Sequence, residues 1–286
     1  MTGTPVPVQL GTGIDPGARI GAVTLVVSDL KRALAFYAGV LGLWMHRVDD
    51  ETAVLGAGAE DLVVLVEDRE ALPAIGTTGL FHLAIRVVSR LELARSIQRL
   101  ILSRGALTGF ADHLVCESIY LDDPDGNGIE VYADRPLEDW PLEDGHVRMA
   151  TDPLDLYGAI ASSDGRSVPP QQVEVGTEMG HVHLCVADAA AAEAFYRDVI
   201  GLDVMIRFPV SSMLAAGGYH HHVGLNHAHT DGAPAPAAGS LGMLHFELVV
   251  ADPAPIVARL GERAELHPEG VLASDPSGNR ILLRSA

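Results

Sequence analysis

A chain of 286 residues with 48% hydrophobic content is long enough to build two apolar cores. Its 38 acidic against 19 basic residues give a formal charge of -19, which repels phosphate backbones and anionic lipid and argues against nucleic acid or a membrane surface as partner. No apolar run reaches membrane-spanning length and the start MTGTPVPVQLGTG lacks the basic and apolar regions of a leader, so a soluble, cytoplasmic protein is expected, with self-association into a homo-oligomer left open.

Residues 1–19, rich in Gly, Pro and Thr, form an arm ahead of the first strand. Ile20 to Val27 is predicted as a strand, Ser28 or Asp29 as a helix cap, and Ala33, Phe36, Tyr37, Val40 and Leu41 fall at helical spacing before Gly42. Strands near Trp44 to Arg47, Ala53 to Leu55 and Leu62 to Val66 complete a βαβββ unit. A second unit starts at Phe81, carries an amphipathic helix over Leu91 to Leu102, and closes with the hairpin Ser118 to Leu121 and Ile129 to Tyr132 around Asp123-Pro124-Asp125-Gly126-Asn127-Gly128. From Gly180 the first unit recurs: HVHLCVADAAAAEAFYRDVIGL matches AVTLVVSDLKRALAFYAGVLGL at a constant offset of 159 positions. From Leu244 the second unit recurs, ending in DPSGNRILL against DPDGNGIEV. Four modules result, read as two domains over 20–134 and 180–286. The acidic, proline-bearing segment 135–179, with a short helix near Leu154 to Ile160, is read as a solvated linker.

Two cysteines without CxxC spacing, Cys116 and Cys185, exclude a disulfide framework and offer no evident chemistry. Thirteen histidines, three of them consecutive, direct attention to imidazole. Period-2 alternation sets Glu130 and Tyr132 on one face of the last strand of the second module. A lone strand glutamate is ordinarily solvated and a lone strand histidine is ordinarily a core imidazole bonded to backbone, so recurrence among the modules has to carry any functional reading. By alternation His183 and His221 are expected to point away from His181 and His222.

The four-module pattern resembles the vicinal oxygen chelate superfamily (glyoxalase, bleomycin resistance and extradiol dioxygenase proteins). That resemblance implies an α+β fold in which βαβββ modules pair into two half-barrels and hold a metal from their first and last strands. Carried onto this chain, the first-strand slots are Ala22, His82, His181 and His245, and the last-strand slots are Val64, Glu130, near His222, and Leu282. His82, Glu130 and His181 then make two imidazoles and one carboxylate, a set that leaves coordination positions open at a non-haem iron. It requires the second and third modules to share a half-barrel. Pairing in chain order would instead offer His181, His222 and His245, three imidazoles suited to zinc or iron. His245, without a carboxylate partner at Leu282, is read as a remnant or packing residue.

More narrowly, GLFHLAIRV, SIYLDDPDGNGIEVYADRP and GGYHHHVGLN resemble two-domain catechol 2,3-dioxygenases. This implies Fe(II) as cofactor, with Mn(II) or Zn(II) as alternatives, and a catechol-type aromatic diol with O2 as substrates. It also implies Tyr120 and His113 as substrate-side catalytic groups and His220 or His222 as the residue that moves protons. The His113 to Tyr120 spacing and the distribution of the triad among modules depart from the better-known enzymes. Two other classes share the fold: a glyoxalase-type isomerase or lyase, with His222 as a fourth ligand beside His82, Glu130 and His181, and a metal-free protein that only binds small molecules.

Overall fold

The computed structural model describes residues 10–286 except 145, 164, 166 and 167, so the first nine residues of the arm lie outside the described residues. The first module is β1 (Arg19–Val27), α1 (Leu30–Tyr37), β2 (Trp44–Val48), β3 (Thr52–Ala57) and β4 (Glu60–Glu67). The second is β5 (Gly79–Arg86), α2 (Arg90–Leu102), β6 (Gly109–Asp112), β7 (Cys116–Asp122) and β8 (Gly128–Asp134). A connecting stretch holds β9 (Leu142–Glu143), β10 (His146–Val147) and α3 (Leu156–Ala161). The third module is β11 (Glu178–Cys185), α4 (Ala189–Ala194) running into a π-helical turn over Phe195–Ile200, β12 (Asp203–Phe208), β13 (Ser211–Ala215) and β14 (Val223–Asn226). The fourth is β15 (Gly242–Val250), α5 (Ala254–Leu260), β16 (Glu265–His267), β17 (Gly270–Ser274) and β18 (Arg280–Ser285). Asp29, Ser89 and Asp188 each accept a hydrogen bond from the backbone N–H three residues on, capping α1, α2 and α4.

The strands form two eight-stranded sheets, ordered β12-β13-β14-β11-β5-β8-β7-β6 and β16-β17-β18-β15-β1-β4-β3-β2. The second and third modules therefore share one sheet, joined by antiparallel β5 and β11, and the first and fourth share the other, joined by antiparallel β1 and β15. Residues 20–134 and 180–286 do not each close a half-barrel of their own. The reason lies in the first strand of each module, whose free edge takes a partner from the opposite half of the chain.

Consecutive modules are tied together differently. In the DPDGN turn, Asp123 Oδ1 accepts from the backbone N–H groups of Asp125 and Asn127, and its Oδ2 accepts from Asn127 Nδ2 and from the hydroxyl of Tyr37 on α1. The DPSGN turn repeats this: Asp275 accepts from Ser277, Asn279 and the hydroxyl of Tyr196. The repeated Phe-Tyr of the helices and the repeated DPxGN turns thus bridge the two sheets, and burial pushes both phenols well above their ordinary range, helped by the aspartate each one faces.

The linker expectation needs correcting. Trp140, Met149, Leu154 and Ala150 are buried: Trp140 and Met149 share a cluster with Val115 and Tyr132, and the chain after β10 runs beside β6, with Asp112 and Asp152 bridged backbone to backbone. An aspartate that holds four donors, three of them buried, is costly to remove. Asp123→Ala should lower stability by about 2–4 kcal/mol and Tyr37→Phe by about 1 kcal/mol, as urea unfolding followed by circular dichroism would measure.

Candidate metal centre

Alternation along the strands of the shared sheet decides what can meet. Leu83, Ile85, Ile129, Val131, Val182 and Leu184 enter the apolar core. The intervening residues His82, Ala84, Glu130, Tyr132, His181 and His183 take the other face. The register sets Ala84 beside Glu130 on β8 and beside His181 on β11. A methyl group at the central position leaves room above it, and there the Glu130 carboxylate meets the His181 imidazole, Nε2 to Oε2, at 3.1 Å. The same Oε2 lies 3.0 Å from His82 Nε2. All three side chains are buried.

The residues fit a divalent metal. His82 Nε2 is buried and is left without a hydrogen-bond partner although Glu130 Oε2 stands 3.0 Å away, an unsatisfied nitrogen of the kind a cation would engage. Ligand atoms at right angles on a metal with bonds of about 2.1 Å stand about 3 Å apart, the separation seen for both His–Glu pairs. The ligand atoms of His82, Glu130 and His181 all lie within 4.8 Å of one another. Burial opposes ionisation of Glu130, but the two imidazoles prevail and hold its carboxyl well below the usual range. Burial lowers His181 to about 4 despite the carboxylate, leaving a neutral ring with a lone pair to donate.

The alternative set is not brought together. His245 is on β15 in the other sheet, its Nε2 3.2 Å from Thr24 Oγ1. His222 Nδ1 accepts from the backbone N–H of Ala216, which commits that ring to the chain end of β13, and burial lowers it to about 3. His222 joins neither group of convergent metal-binding side chains found among the described residues.

A cavity of about 520 Å³ opens over His82 and Glu130. On one wall Tyr120 stands opposite Glu130 in the β7–β8 register, with its hydroxyl 2.7 Å from His113 Nε2. His113 Nδ1 lies 2.7 Å from the carbonyl of Ala150 and must donate to it, so Nε2 accepts and the phenol donates. Burial, with the Glu130 carboxylate, keeps that phenol well above its ordinary range.

Of the three consecutive histidines, it is His221 that lines the cavity, its ring 4.0 Å from that of His181 between centroids. His220 lies behind it, with Nε2 3.0 Å from Asp134 Oδ1 and Nδ1 2.7 Å from His221 Nδ1. Asp134 also accepts from Arg86 and from the Tyr219 hydroxyl. Burial opposes the Asp134 charge, yet His220 and Arg86 outweigh it and hold the carboxyl below its usual range. Hydrogen bonding then fixes the tautomers: His220 donates from Nε2 to Asp134 and accepts at Nδ1 from His221, which leaves His221 Nε2 unprotonated. The expectation for this segment fails because β14 begins only at Val223, so strand alternation does not govern residues 220–222.

His183 also lines the cavity, contrary to expectation. Two residues from His181, it shares its face, and it stands directly across from His82 in the register. Period-2 counting was enough to find it. Ala84, Asp134 and the cavity-lining Met149 and Thr151 carried no such signal, because each matters only through neighbours distant in the chain.

The sequence profile of the Glyoxalase/Bleomycin resistance protein/Dioxygenase superfamily matches residues 19–131 and 178–283. The chain belongs to this superfamily. A catechol-2,3-dioxygenase of Bacillus subtilis (strain 168) is 37% identical over 247 residues, 84% of this chain and 85% of that one. Among solved structures, a putative dioxygenase of the same species superposes with a TM-score of 0.63 at 15% identity, covering 93% of this chain and 84% of the other. A glyoxalase I mutant from Zea mays gives 0.60 at 16% identity, covering 94% of each chain. These two likenesses show the fold alone, two curled eight-stranded sheets of the superfamily type.

Ala84→Leu would fill the gap above which Glu130 and His181 meet. It should weaken divalent metal binding by about 10–100-fold with the fold retained, read by chelator competition alongside circular dichroism.

Proposed function

We propose that this protein is an extradiol ring-cleaving dioxygenase that acts on a catechol-type aromatic diol and O2, with Fe(II) held by His82, Glu130 and His181. The observation that carries the reading is the convergence of two imidazoles and one carboxylate beneath a cavity whose flanks present Tyr120 and His221. The 37% identity to a protein named catechol-2,3-dioxygenase, over most of both chains, supports it further. Mn(II) suits the same ligands and chemistry, whereas Zn(II), without redox states, would suit only an isomerase or lyase.

A metal held by His82, Glu130 and His181 would supply Lewis-acid and redox chemistry and would lower the entropic cost of bringing the two reactants together. His221 replaces His220 and His222 as the proton-moving residue: its Nε2 takes a proton from a diol hydroxyl and later returns it. His220 and Asp134 hold it in the tautomer that this needs. Tyr120, kept protonated by burial and donating its proton to His113, presents its hydroxyl oxygen as an acceptor to a diol hydroxyl. The apolar side of the cavity limits the water that would otherwise compete for these groups. A glyoxalase-type site with four protein ligands is less well supported, since it would draw on His222, whose Nδ1 is engaged by Ala216.

Iron-loaded protein should consume oxygen with a catechol and form a yellow ring-opened semialdehyde. Glu130→Ala should lose iron and keep its fold. His221→Ala should keep iron and lose about 10²–10⁴-fold in kcat, while His222→Ala should keep both iron and most of the turnover. Oxygen traces, metal analysis of protein purified without oxygen, and circular dichroism read these outcomes. No oxygen uptake with any catechol by iron-loaded protein would move the assignment to an isomerase or lyase.

A further inference from the structure

The two walls of the cavity differ in chemistry. The second module supplies Tyr120, His113 and Thr108, which can all hydrogen bond. The β12–β13 hairpin of the third module supplies Phe208, Pro209, Val210 and Met213, with Ser211 the polar side chain among them. A diol on the His82, Glu130 and His181 floor, hydrogen-bonded on the Tyr120 side, would face this apolar hairpin with the rest of its ring. The volume of about 520 Å³ lies in the range that encloses ligands well beyond a single ring.

Charge restricts the ligand further. Among the described residues lining the cavity, the charged side chains are Asp122 and Glu130, both acidic, and neither lysine nor arginine is present. Arg207, adjacent to the apolar wall, is turned to Glu193 on α4 with contacts of 2.6 and 2.8 Å, so it does not supply a cation to the cavity. The chain as a whole carries a formal charge of -19. A carboxylate on the substrate would lose its hydration against the hairpin, gain no counter-charge and meet repulsion from Asp122.

We infer that the substrate is an uncharged catechol bearing a bulky apolar substituent, with that substituent seated against the Phe208 to Met213 hairpin. This rests on the dioxygenase reading above and specifies its substrate class. The test compares catechol, 3-phenylcatechol and the anionic 3,4-dihydroxyphenylacetate on the iron-loaded full chain. Oxygen uptake gives kcat/KM, and calorimetry under argon gives equilibrium binding.

The phenyl compound should exceed the anionic one by at least about 100-fold in kcat/KM and bind more tightly than either other diol. Val210→Arg, half-buried at the turn of the hairpin, should narrow the gap between the phenyl and anionic compounds by about tenfold or more. Val210→Gln, of similar length but uncharged, removes apolar contact without adding a counter-charge and should narrow it clearly less. Equal or better use of the anionic diol, or equal narrowing by Val210→Gln, would overturn the inference while leaving the dioxygenase reading intact. If no diol supports oxygen uptake, that reading falls. The binding order then decides the apolar preference by itself, and absence of binding by the phenyl compound ends it.

Discussion

The antiparallel seam between β5 and β11 is the constraint on which the candidate centre depends. His82 and His181 are far apart in the chain and become neighbours only because these two first strands pair edge to edge, with His181 across from Ala84 and His183 across from His82. Glu130 reaches them through β8, parallel to β5 on its other side. Three adjacent strands thus hold the three side chains, so the backbone ladder sets their relative positions. Irregularities in the pairing flank the stretch from His181 to His183.

Burying a carboxylate there demands compensation, and the two imidazoles supply it. The related sheet buries a carboxylate too, Glu247, but satisfies it with Arg284 and the backbone N–H of Ala22 rather than with imidazoles. Its equivalent first strands carry Ala22 and His245, its last strands Val64 and Leu282, and His245 pairs with the Thr24 hydroxyl. Burial lowers the His245 imidazole to about 4, so it persists as a neutral, hydrogen-bonded packing residue. Among the described residues, one sheet therefore gathers a His-Glu-His cluster and the other gathers none.

Much of the fold was legible because the module is written four times. Strand alternation, helix caps at Asp29, Ser89 and Asp188, and the DPxGN turns each leave a local mark, and repetition turns such marks into architecture. The convergence of His82, Glu130 and His181 was anticipated from the strand slots that the family resemblance points to, and the same resemblance singled out Tyr120 and His113. What stayed hidden depends on packing over long sequence separations. The selection of His221 over its two neighbours depends on where β14 begins. The network from Asp134 through His220 joins the end of β8 to the approach to β14. Met149 and Thr151 reach the cavity, and the Ala150 carbonyl reaches His113, through a connection whose acidic and proline content suggested solvent.

The interleaving of modules has a consequence for how the chain acquires its shape. β1 finds its sheet partner in β15, and β5 finds its own in β11, so both sheets remain open-edged until the second half of the polypeptide has been made. During synthesis the first two modules carry unpaired strand edges and wait for partners, a state prone to off-pathway association. Closure of so many long-range pairings also predicts slow folding relative to helical proteins of equal size. An early stop anywhere before β15 would leave β1 without its neighbour, so the final quarter of the chain governs the ordering of its first strand.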